Sequence, residues 1–387
     1  MGMQPCCETK ANKENLNNPI DPYANSNGVV QQNMSPMVTQ NNTNLNSPNN
    51  LASSINSISL MNSQQNLLSS QNVPASIGQS VNSLKMNNSI NPNMSIRSQP
   101  IKIECIKSFE AHDDKIVSLI ELSSHNVASG SYDSTIKIWD INTQQCIQTI
   151  QENGNVLCLL EFEPNMLLSG TDENTIQLWN ISSPSPKRPL NIYEGHLLWV
   201  NCLVKCHEKY FASGSNDSDI RIWSWEEHNC VNVLKGHSNC VLTMILLLDG
   251  NLCSGSADLS LKIWDWANGT CVKTLTGHTK WVKCVYQLSN GYIISGSDDR
   301  TIKVWNNDNC IKELKGHQKS VRSLCQISND LFASASFDKT IKIWNINDLT
   351  LNQSLEEHEA NVLSLLHHSS GYLISCSTDR TIKIWKI

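Results

Sequence analysis

From Ile101 onward, short runs of alternating apolar and polar residues fill the chain, in the pattern typical of β-strands. The runs IVSLIEL, NVASGS and TIKIWDI carry β-branched side chains, and CIQTI adds a fourth run of the same kind. Clusters of Gly, Asn, Asp and Ser separate the runs, and no 3.6-residue period of an amphipathic helix appears in this part of the chain. The pattern therefore predicts an all-β domain of short antiparallel strands.

This group of runs recurs along the chain in seven repeats, and one tryptophan marks each repeat: Trp139, Trp179, Trp223, Trp264, Trp305, Trp344 and Trp385. The intervals between these tryptophans are 39 to 44 residues. In six repeats a histidine precedes the tryptophan by 27 residues: His112, His196, His237, His278, His317 and His358. In the same six an aspartate precedes it by six residues: Asp133, Asp217, Asp258, Asp299, Asp338 and Asp379. Such spacing indicates a repeat protein.

A sheet of four short strands cannot bury its apolar faces alone, so the repeats predict a seven-bladed β-propeller of four-stranded antiparallel blades. We expect one domain over residues 101–387, with repeats at approximately 105–145, 146–188, 189–229, 230–270, 271–309, 310–350 and 351–387. The last repeat lacks a fourth run, and residues 103–109 match the pattern of one. We therefore expect this segment to complete the last blade and close the ring.

In its motifs, this part of the chain resembles the WD-repeat (G-protein β-like) β-propeller family. The resemblance rests on Trp139-Asp140, on Trp264-Asp265 and on four Gly-His pairs: Gly195-His196, Gly236-His237, Gly277-His278 and Gly316-His317. It implies a buried network that joins the repeat Trp, His and Asp through a serine four residues before the aspartate position: Ser129, Ser169, Ser213, Ser254, Ser295, Ser334 and Ser375. We interpret the six His–Asp pairs as structural, because six copies of one active site are implausible.

The second repeat departs from this pattern. We expect Asn153 in place of the histidine and Glu173 in place of the aspartate, so this blade is predicted to lack the network and to be the least stable. An insertion follows at residues 182–190, in which Ser183-Pro184 and Ser185-Pro186 are typical of proline-directed phosphorylation sites or of a flexible loop.

The resemblance also implies that partners bind on the narrow face around the central channel, here called the top face. By register, we expect these candidate binding residues on it: Tyr132, Trp199, Asn201, Asn216, Trp281, Lys283, Asp298, Arg322 and Phe337. Trp, Tyr and Arg dominate binding hot spots. Alternatively, Trp199 and Trp281 only cover blade interfaces. A single arginine does not favour a phosphopeptide reader, which needs several.

The first 100 residues differ in composition: they contain 22 Asn, 16 Ser and 9 Gln, and Tyr23 is their only aromatic residue. Such a segment buries too little apolar surface to offset the entropy of ordering its backbone, so we expect a disordered leader over residues 1–100. The net charge of −6 excludes a strongly basic nucleic-acid binder, because phosphate contacts need clustered Lys and Arg.

Five of the 15 cysteines open a fourth run, and we expect them to be small buried hydrophobes: Cys105, Cys146, Cys230, Cys271 and Cys310. Cys202 and Cys206 lie four residues apart but lack a second pair at metal-binding spacing, so no zinc site is expected. Free thiols in a reducing compartment are the preferred interpretation.

The N-terminal sequence MGMQPCC offers a second kind of site. Gly2 would accept myristate after removal of Met1, and Cys6 and Cys7 would accept palmitate, which together would anchor the chain to a membrane. An unmodified N-terminus is the alternative, because Cys6 stands where Ser or Thr is preferred.

The sequence contains no phosphate-binding loop, nucleophile elbow or metal cluster, so we expect no catalytic residue, cofactor or metal. The function predicted is that of a non-catalytic scaffold that binds peptides or proteins on the top face within a multiprotein complex, with no direct nucleic-acid contact. Two alternatives remain: a substrate-recognition subunit of a ubiquitin ligase, and a G-protein β-like signalling subunit. We expect a cytoplasmic location, the alternatives being nuclear or, with lipidation, peripheral to a membrane.

Overall fold

The computed structural model describes residues 102–183 and 186–387. The predicted leader, the candidate lipidation residues Gly2, Cys6 and Cys7, and the Pro184-Ser185 pair lie outside these residues, and the predictions made for them remain predictions. Every regular element in the described part of the chain is a strand, so none of its segments is an apolar helix that could span a bilayer.

The described strands form seven sheets of four antiparallel strands, called blades 1 to 7. The chain enters through β1 (Glu104–Glu110). Blade 1 comprises β2 (Ile116–Glu121), β3 (Val127–Ser131), β4 (Thr135–Asp140) and β5 (Gln145–Gln151). Blade 2 comprises β6 (Val156–Glu163), β7 (Met166–Thr171), β8 (Ile176–Asn180) and β9 (Asn191–Tyr193). Blade 3 comprises β10 (Val200–His207), β11 (Tyr210–Ser215), β12 (Ile220–Ser224) and β13 (Cys230–Leu234).

The remaining blades repeat this order. Blade 4 comprises β14 (Val241–Leu246), β15 (Leu252–Ser256), β16 (Ser260–Asp265) and β17 (Thr270–Thr276). Blade 5 comprises β18 (Val282–Gln287), β19 (Ile293–Ser297), β20 (Thr301–Asn306) and β21 (Asn309–Lys315). Blade 6 comprises β22 (Val321–Gln326), β23 (Leu331–Ser336), β24 (Ile341–Asn345) and β25 (Leu351–Leu355). Blade 7 comprises β26 (Val362–His367), β27 (Tyr372–Ser377), β28 (Thr381–Lys386) and, as its fourth strand, β1.

The apolar core lies at the seams between blades. The first strand of each blade contacts the first strands of both neighbours, and these contacts run round a closed ring from β2 to β26 and back to β2. Seven apolar clusters fill the seams, and each draws on two neighbouring blades. The repeat tryptophan packs against the preceding blade, as Trp179 does against Ile136 and Ile150. Each sheet therefore buries its faces against its neighbours.

A β-bulge at the second residue of each first strand is common to all seven blades. In blade 5, Val282 pairs with Ser297 and Cys284 with Gly296, so Lys283 is the extra residue of the bulge. The equivalent residues are Val117, Leu157, Asn201, Leu242, Lys283, Arg322 and Leu363. Because a bulge re-aims the side chain of its extra residue, these seven positions leave the inside–outside alternation of the strand.

The turn between the second and third strands is also shared. The residue after the turn aspartate position has a left-handed backbone in every blade, with φ between 61° and 73°: Ser134, Asn174, Ser218, Leu259, Arg300, Lys339 and Arg380. The aspartate fixes this turn by accepting backbone hydrogen bonds; Asp258 Oδ1, for example, lies 3.0 Å from the N–H of Ser260.

The ring closes through β1, which pairs antiparallel with β28 from Glu104 opposite Lys386 to Glu110 opposite Thr381. A side chain of blade 6 holds the segment just before β1. The Gln353 Oε1 accepts from the Ile103 N–H at 3.0 Å, and the Gln353 Nε2 donates to the Ile103 carbonyl at 2.8 Å. These hydrogen bonds join two segments that are 250 residues apart in the sequence.

The expectation that the five recurrent cysteines are buried hydrophobes is wrong. Cys146, Cys271 and Cys310 are exposed, and Cys105 and Cys230 are half-buried. They lie at or near the start of a fourth strand, the outermost of its blade, where one face meets solvent. Each thiol instead lies 3.3 to 3.5 Å from the carbonyl oxygen two residues ahead. All 13 described cysteines are free thiols.

Candidate functional site

A hydrogen-bonded network joins the repeat residues in six blades, all but blade 2. The histidine Nδ1 lies 2.7 to 2.9 Å from the aspartate Oδ2. The histidine Nε2 lies 2.6 to 2.7 Å from the serine Oγ. The tryptophan Nε1 donates to the same Oγ at 2.7 to 2.9 Å. The serine hydroxyl can therefore donate to histidine while it accepts from tryptophan.

Burial and hydrogen bonding act in opposite directions on the ionisable groups of this network. Burial opposes ionisation of Asp217, but hydrogen bonds from His196 and from the Leu197 N–H outweigh it and lower the pKa of the carboxyl to about 2. Burial lowers the pKa of His112. A Ser–His–Asp order also occurs in hydrolases, but here the serine is fully buried, Ser129 and Ser213 being 0% exposed. No substrate can reach such a hydroxyl, so the network is structural.

In blade 2 the structure corrects the expected substitution. Glu152, not Asn153, occupies the histidine position: it is 4% exposed, whereas Asn153 is exposed. Its Oε1 accepts from Trp179 Nε1 at 2.7 Å and from the Ser169 hydroxyl. The blade therefore keeps its own Trp–Ser–carboxylate network. The 27-residue interval before Trp179 points to Glu152 and was the signal available in the sequence.

The carboxylate of Glu152 is only partly hydrogen-bonded in this network. Burial raises the pKa of its carboxyl to about 7, against the opposing effect of the hydrogen bonds from Ser169 and Trp179. Its second oxygen, Oε2, is buried and has no hydrogen-bond partner in the described residues. Glu173 is exposed, and Asp172 beside it accepts instead, from the Asn155 N–H at 2.8 Å and the Asn155 Nδ2 at 2.7 Å.

One backbone hydrogen bond recurs in all seven blades, among the residues predicted to form the top face. It runs from the residue before the turn aspartate position to the carbonyl of the residue before the first strand, over 2.9 to 3.3 Å. In blade 5 the Asp298 N–H donates to the Trp281 carbonyl, and in blade 6 the Phe337 N–H donates to the Ser320 carbonyl. These pairs and the bulge residue of the same blade lie at one end of each sheet.

The predicted top-face residues of blade 5 contact one another. The Lys283 Nζ lies 4.5 Å from the centroid of the Trp281 ring and 3.5 Å from Asp298 Oδ2. The Lys283 side chain is only 1% exposed, so this carboxylate lies beside a buried ammonium group. The other oxygen of Asp298 accepts from the hydroxyl of Ser320, which belongs to blade 6.

Blade 6 supplies the second half of this group. The guanidinium carbon of Arg322 lies 5.4 Å from the centroid of Phe337, a cation–π distance. The Arg322 Nε is buried and has no hydrogen-bond partner in the described residues. We call the whole group the blade 5–6 cluster: Trp281, Lys283, Asp298, Ser320, Arg322 and Phe337. Ser320, which links the two blades, was not among the predicted site residues.

Other predicted residues lie in blades 1 and 3. In blade 3 the Asn201 Nδ2 donates to Asn216 Oδ1 and to the Val241 carbonyl, both at 2.8 Å, and so ties blade 3 to blade 4. Trp199 is half-buried in the same blade. In blade 1 the Lys115 Nζ lies 3.6 Å from the centroid of the Tyr132 ring. Asn201 therefore has a positioning role, whereas the aromatic rings remain partly open to solvent.

Comparison with known sequences matches the chain to one family model, described as WD domain, G-beta repeat. The match covers seven segments: 103–140, 144–180, 187–224, 228–265, 269–306, 308–345 and 349–386. A solved structure, the WD40 beta propeller domain of Doa1, superimposes with a TM-score of 0.67 at 23% identity. The alignment covers 74% of this chain and 97% of that chain.

Curated relatives match over shorter stretches. The DENN domain and WD repeat-containing protein SCD1 of Arabidopsis thaliana is 25% identical over 127 residues, 33% of this chain and 10% of that protein. Mitochondrial division protein 1 of Eremothecium gossypii is 41% identical over 61 residues, 16% of this chain and 8% of that protein. F-box/WD repeat-containing protein 7 of Drosophila melanogaster is 32% identical over 57 residues, 15% of this chain and 4% of that protein. The chain therefore spans a tenth or less of these relatives.

Proposed function

Because the chain belongs to the WD40 repeat family, whose propellers are typical of protein-interaction scaffolds, we propose that it is a non-catalytic scaffold that binds peptide or protein partners on its top face. A propeller of this kind carries no chemistry of its own, and what it binds depends on the side chains displayed at the ends of its blades. The proposal places the protein within a multiprotein complex and assigns it no cofactor.

The observation that carries this proposal is the composition of the blade 5–6 cluster. Trp281, Phe337 and Arg322 are of the residue types that dominate hot spots, and backbone hydrogen bonds and bulges hold them at one end of two adjacent blades. Rigid presentation favours binding, because little conformational entropy remains to be lost when a partner docks.

Trp281→Ala tests this proposal. Removing a hot-spot aromatic side chain weakens binding by about 2 kcal/mol, roughly 30-fold in Kd. We expect partners captured from cells by the wild-type chain to be depleted with Trp281→Ala, as measured by quantitative mass spectrometry. Ile311→Ala is the matched control, since Ile311 is 45% exposed on the outer strand of the same blade.

Both variants must melt at the wild-type temperature for the comparison to hold, and Phe337→Ala on blade 6 provides an independent second test. Partners that bind the wild type, Trp281→Ala and Phe337→Ala equally would contradict the top-face assignment.

A second candidate function is substrate recognition within a ubiquitin ligase. It is favoured by the similarity to F-box/WD repeat-containing protein 7, a match limited to 57 residues. The same capture separates the candidates: cullin subunits among the partners favour the ligase, a Gγ-like subunit favours a G-protein β-like role, and neither is expected of a general scaffold.

Our proposal places the protein in the cytoplasm, where its free thiols would stay reduced. Membrane attachment through Gly2, Cys6 and Cys7 is the alternative. Metabolic labelling with a myristate analogue distinguishes them, because label that is absent, or that survives Gly2→Ala, removes the case for acylation.

A further inference from the structure

Arg322 is a top-face cation that the fold leaves without an anionic partner. It occupies the bulge of β22, where the strand re-aims its side chain over the ring of Phe337. Its Nε is buried with no hydrogen-bond acceptor, and the ion pairs of the described residues do not include it. A buried donor without a partner is costly, and this guanidinium therefore has N–H groups left to donate to a ligand oxygen.

The neighbouring cation is already neutralised. Lys283 pairs with Asp298 Oδ2, and the Ser320 hydroxyl binds the other oxygen of the same carboxylate. Asp298 therefore has both oxygens engaged and is held on the Lys283 side. Counting one charge each for Lys283, Asp298 and Arg322, the blade 5–6 cluster carries a net charge of +1, which resides on Arg322.

This charge fits a carboxylate better than a phosphate. A guanidinium offers parallel N–H groups that bind the two oxygens of a carboxylate side by side, and one positive charge balances one negative charge. A phosphate monoester carries almost two negative charges and calls for several cations. The rings of Trp281 and Phe337 lie beside the cations and offer apolar surface to an adjoining residue.

We propose that the blade 5–6 cluster binds an Asp or Glu side chain of an extended peptide, with Arg322 as the ligand of its carboxylate. Trp281 and Phe337 contact the apolar residue next to that acid. This inference rests on the proposed top-face function and names the chemistry of the partner.

A peptide-display experiment tests it. A random peptide library is selected against the full chain, against Arg322→Gln and against Lys312→Gln. Lys312 is exposed on the outer strand β21, so Lys312→Gln removes one positive charge away from the cluster. We expect one fixed Asp or Glu position in the peptides selected by the wild type and by Lys312→Gln, and none in those selected by Arg322→Gln.

A binding measurement on the peptide most enriched by the wild type gives the decisive number. Exchanging the Glu of this peptide for Gln is expected to weaken its binding to the wild-type chain about 10- to 100-fold, the effect of one charge-assisted bidentate contact. The same exchange is expected to change the Kd for the Arg322→Gln variant less than about twofold. Arg322→Lys keeps the positive charge but loses the paired N–H groups of the guanidinium. We expect its affinity for the Glu peptide to lie between that of the wild type and that of Arg322→Gln. It replaces Arg322→Gln if that variant melts early.

The two levels of the proposal fail in different ways. Peptides enriched by all three proteins without an acidic position would overturn the carboxylate assignment while leaving top-face binding intact. A phosphoserine analogue that binds more tightly than the glutamate peptide would overturn it too. Enrichment by none of the proteins would overturn both the carboxylate assignment and the proposed function.

Discussion

Glu152 makes blade 2 respond to pH in the opposite direction from the other six blades. Its pKa is raised from 4.5 to about 7 in the folded protein, so the native state binds more protons than the unfolded chain between these values. Stability from this group is therefore full below pH 4.5 and is lost as the pH rises through 7.

Glu152→Gln tests this behaviour. The shift corresponds to about 3 kcal/mol of unfolding free energy between pH 4 and pH 8, and a neutral amide removes that dependence. We expect the variant to gain stability over the wild type progressively as pH rises, measured by urea unfolding at several pH values. Glu163→Gln, at an exposed position of the same blade, is the control and should follow the wild type. A stability difference that does not grow with pH would contradict the assignment.

The turn aspartates act at the acid end of the range. Hydrogen bonds lower their pKa below the ordinary value of 3.8, to about 2 for Asp217. Their contribution is present above pH 4 and is lost as the pH falls through the folded-state value. The molecule is thus destabilised in acid by protonation of the turn aspartates in six blades. Near neutrality it is destabilised by ionisation of Glu152 in blade 2.

At this scale the sequence predicted identities better than environments. The spacing of His, Asp, Ser and Trp located the network, because each residue type is required at a fixed distance from a turn. The fate of Cys146 was not predictable in the same way, since a run that looks apolar can face either the seam or solvent. Arg322 was placed on the top face by register, but its unpartnered Nε depends on the neighbouring side chains.

At the scale of the strand, the shared turn offers a stability test. Leu259 adopts a left-handed backbone with φ of 73°, which costs a non-glycine residue roughly 1 to 2 kcal/mol unless its side chain is Asn or Asp. Because Leu259 is 38% exposed, little packing is lost on its replacement. We expect Leu259→Asn to raise the unfolding free energy by about 0.5 to 1 kcal/mol.

The reverse exchange in blade 2, Asn174→Leu, is the matched control, because Asn174 occupies the equivalent position with φ of 65°. It should destabilise by a similar amount in thermal unfolding. Equal melting of both variants and the wild type would show that the backbone of this turn relaxes.

The strands themselves were predictable, whereas the bulges were not. Alternation of apolar and polar residues gives strand positions because it reflects a sheet with buried faces. An extra residue at Lys283 or Arg322 leaves that alternation nearly unchanged, so nothing in the local pattern announces it. The bulges nonetheless decide how these two side chains leave the alternation of their strands.

At the scale of the whole molecule, ring closure depends on β1. A chain that starts at His112 lacks this strand and exposes an edge of blade 7, so we expect it to unfold or aggregate. A chain that starts at Gln99 keeps β1 and should melt as the full chain does. Thermal unfolding of the two compares them directly, and identical melting temperatures would refute a role for β1 in stability.

The number of blades could be predicted from the sequence, because each repeat of about 41 residues forms one small sheet that must pack against its neighbours. The two hydrogen bonds between Gln353 and Ile103 could not be predicted from the sequence, since the residue pattern of neither segment indicates contact with the other.

The pairing of β1 with β28 also sets an order for events on the ribosome. Glu110 ends one strand and Thr381 begins its partner, and translation of the intervening residues at about 5 to 20 per second takes roughly 14 to 54 s. Throughout that interval the segment of β1 lacks its native partner strand, and the ring cannot close. We therefore expect the early segment to be open to chaperone binding until its late partner has emerged.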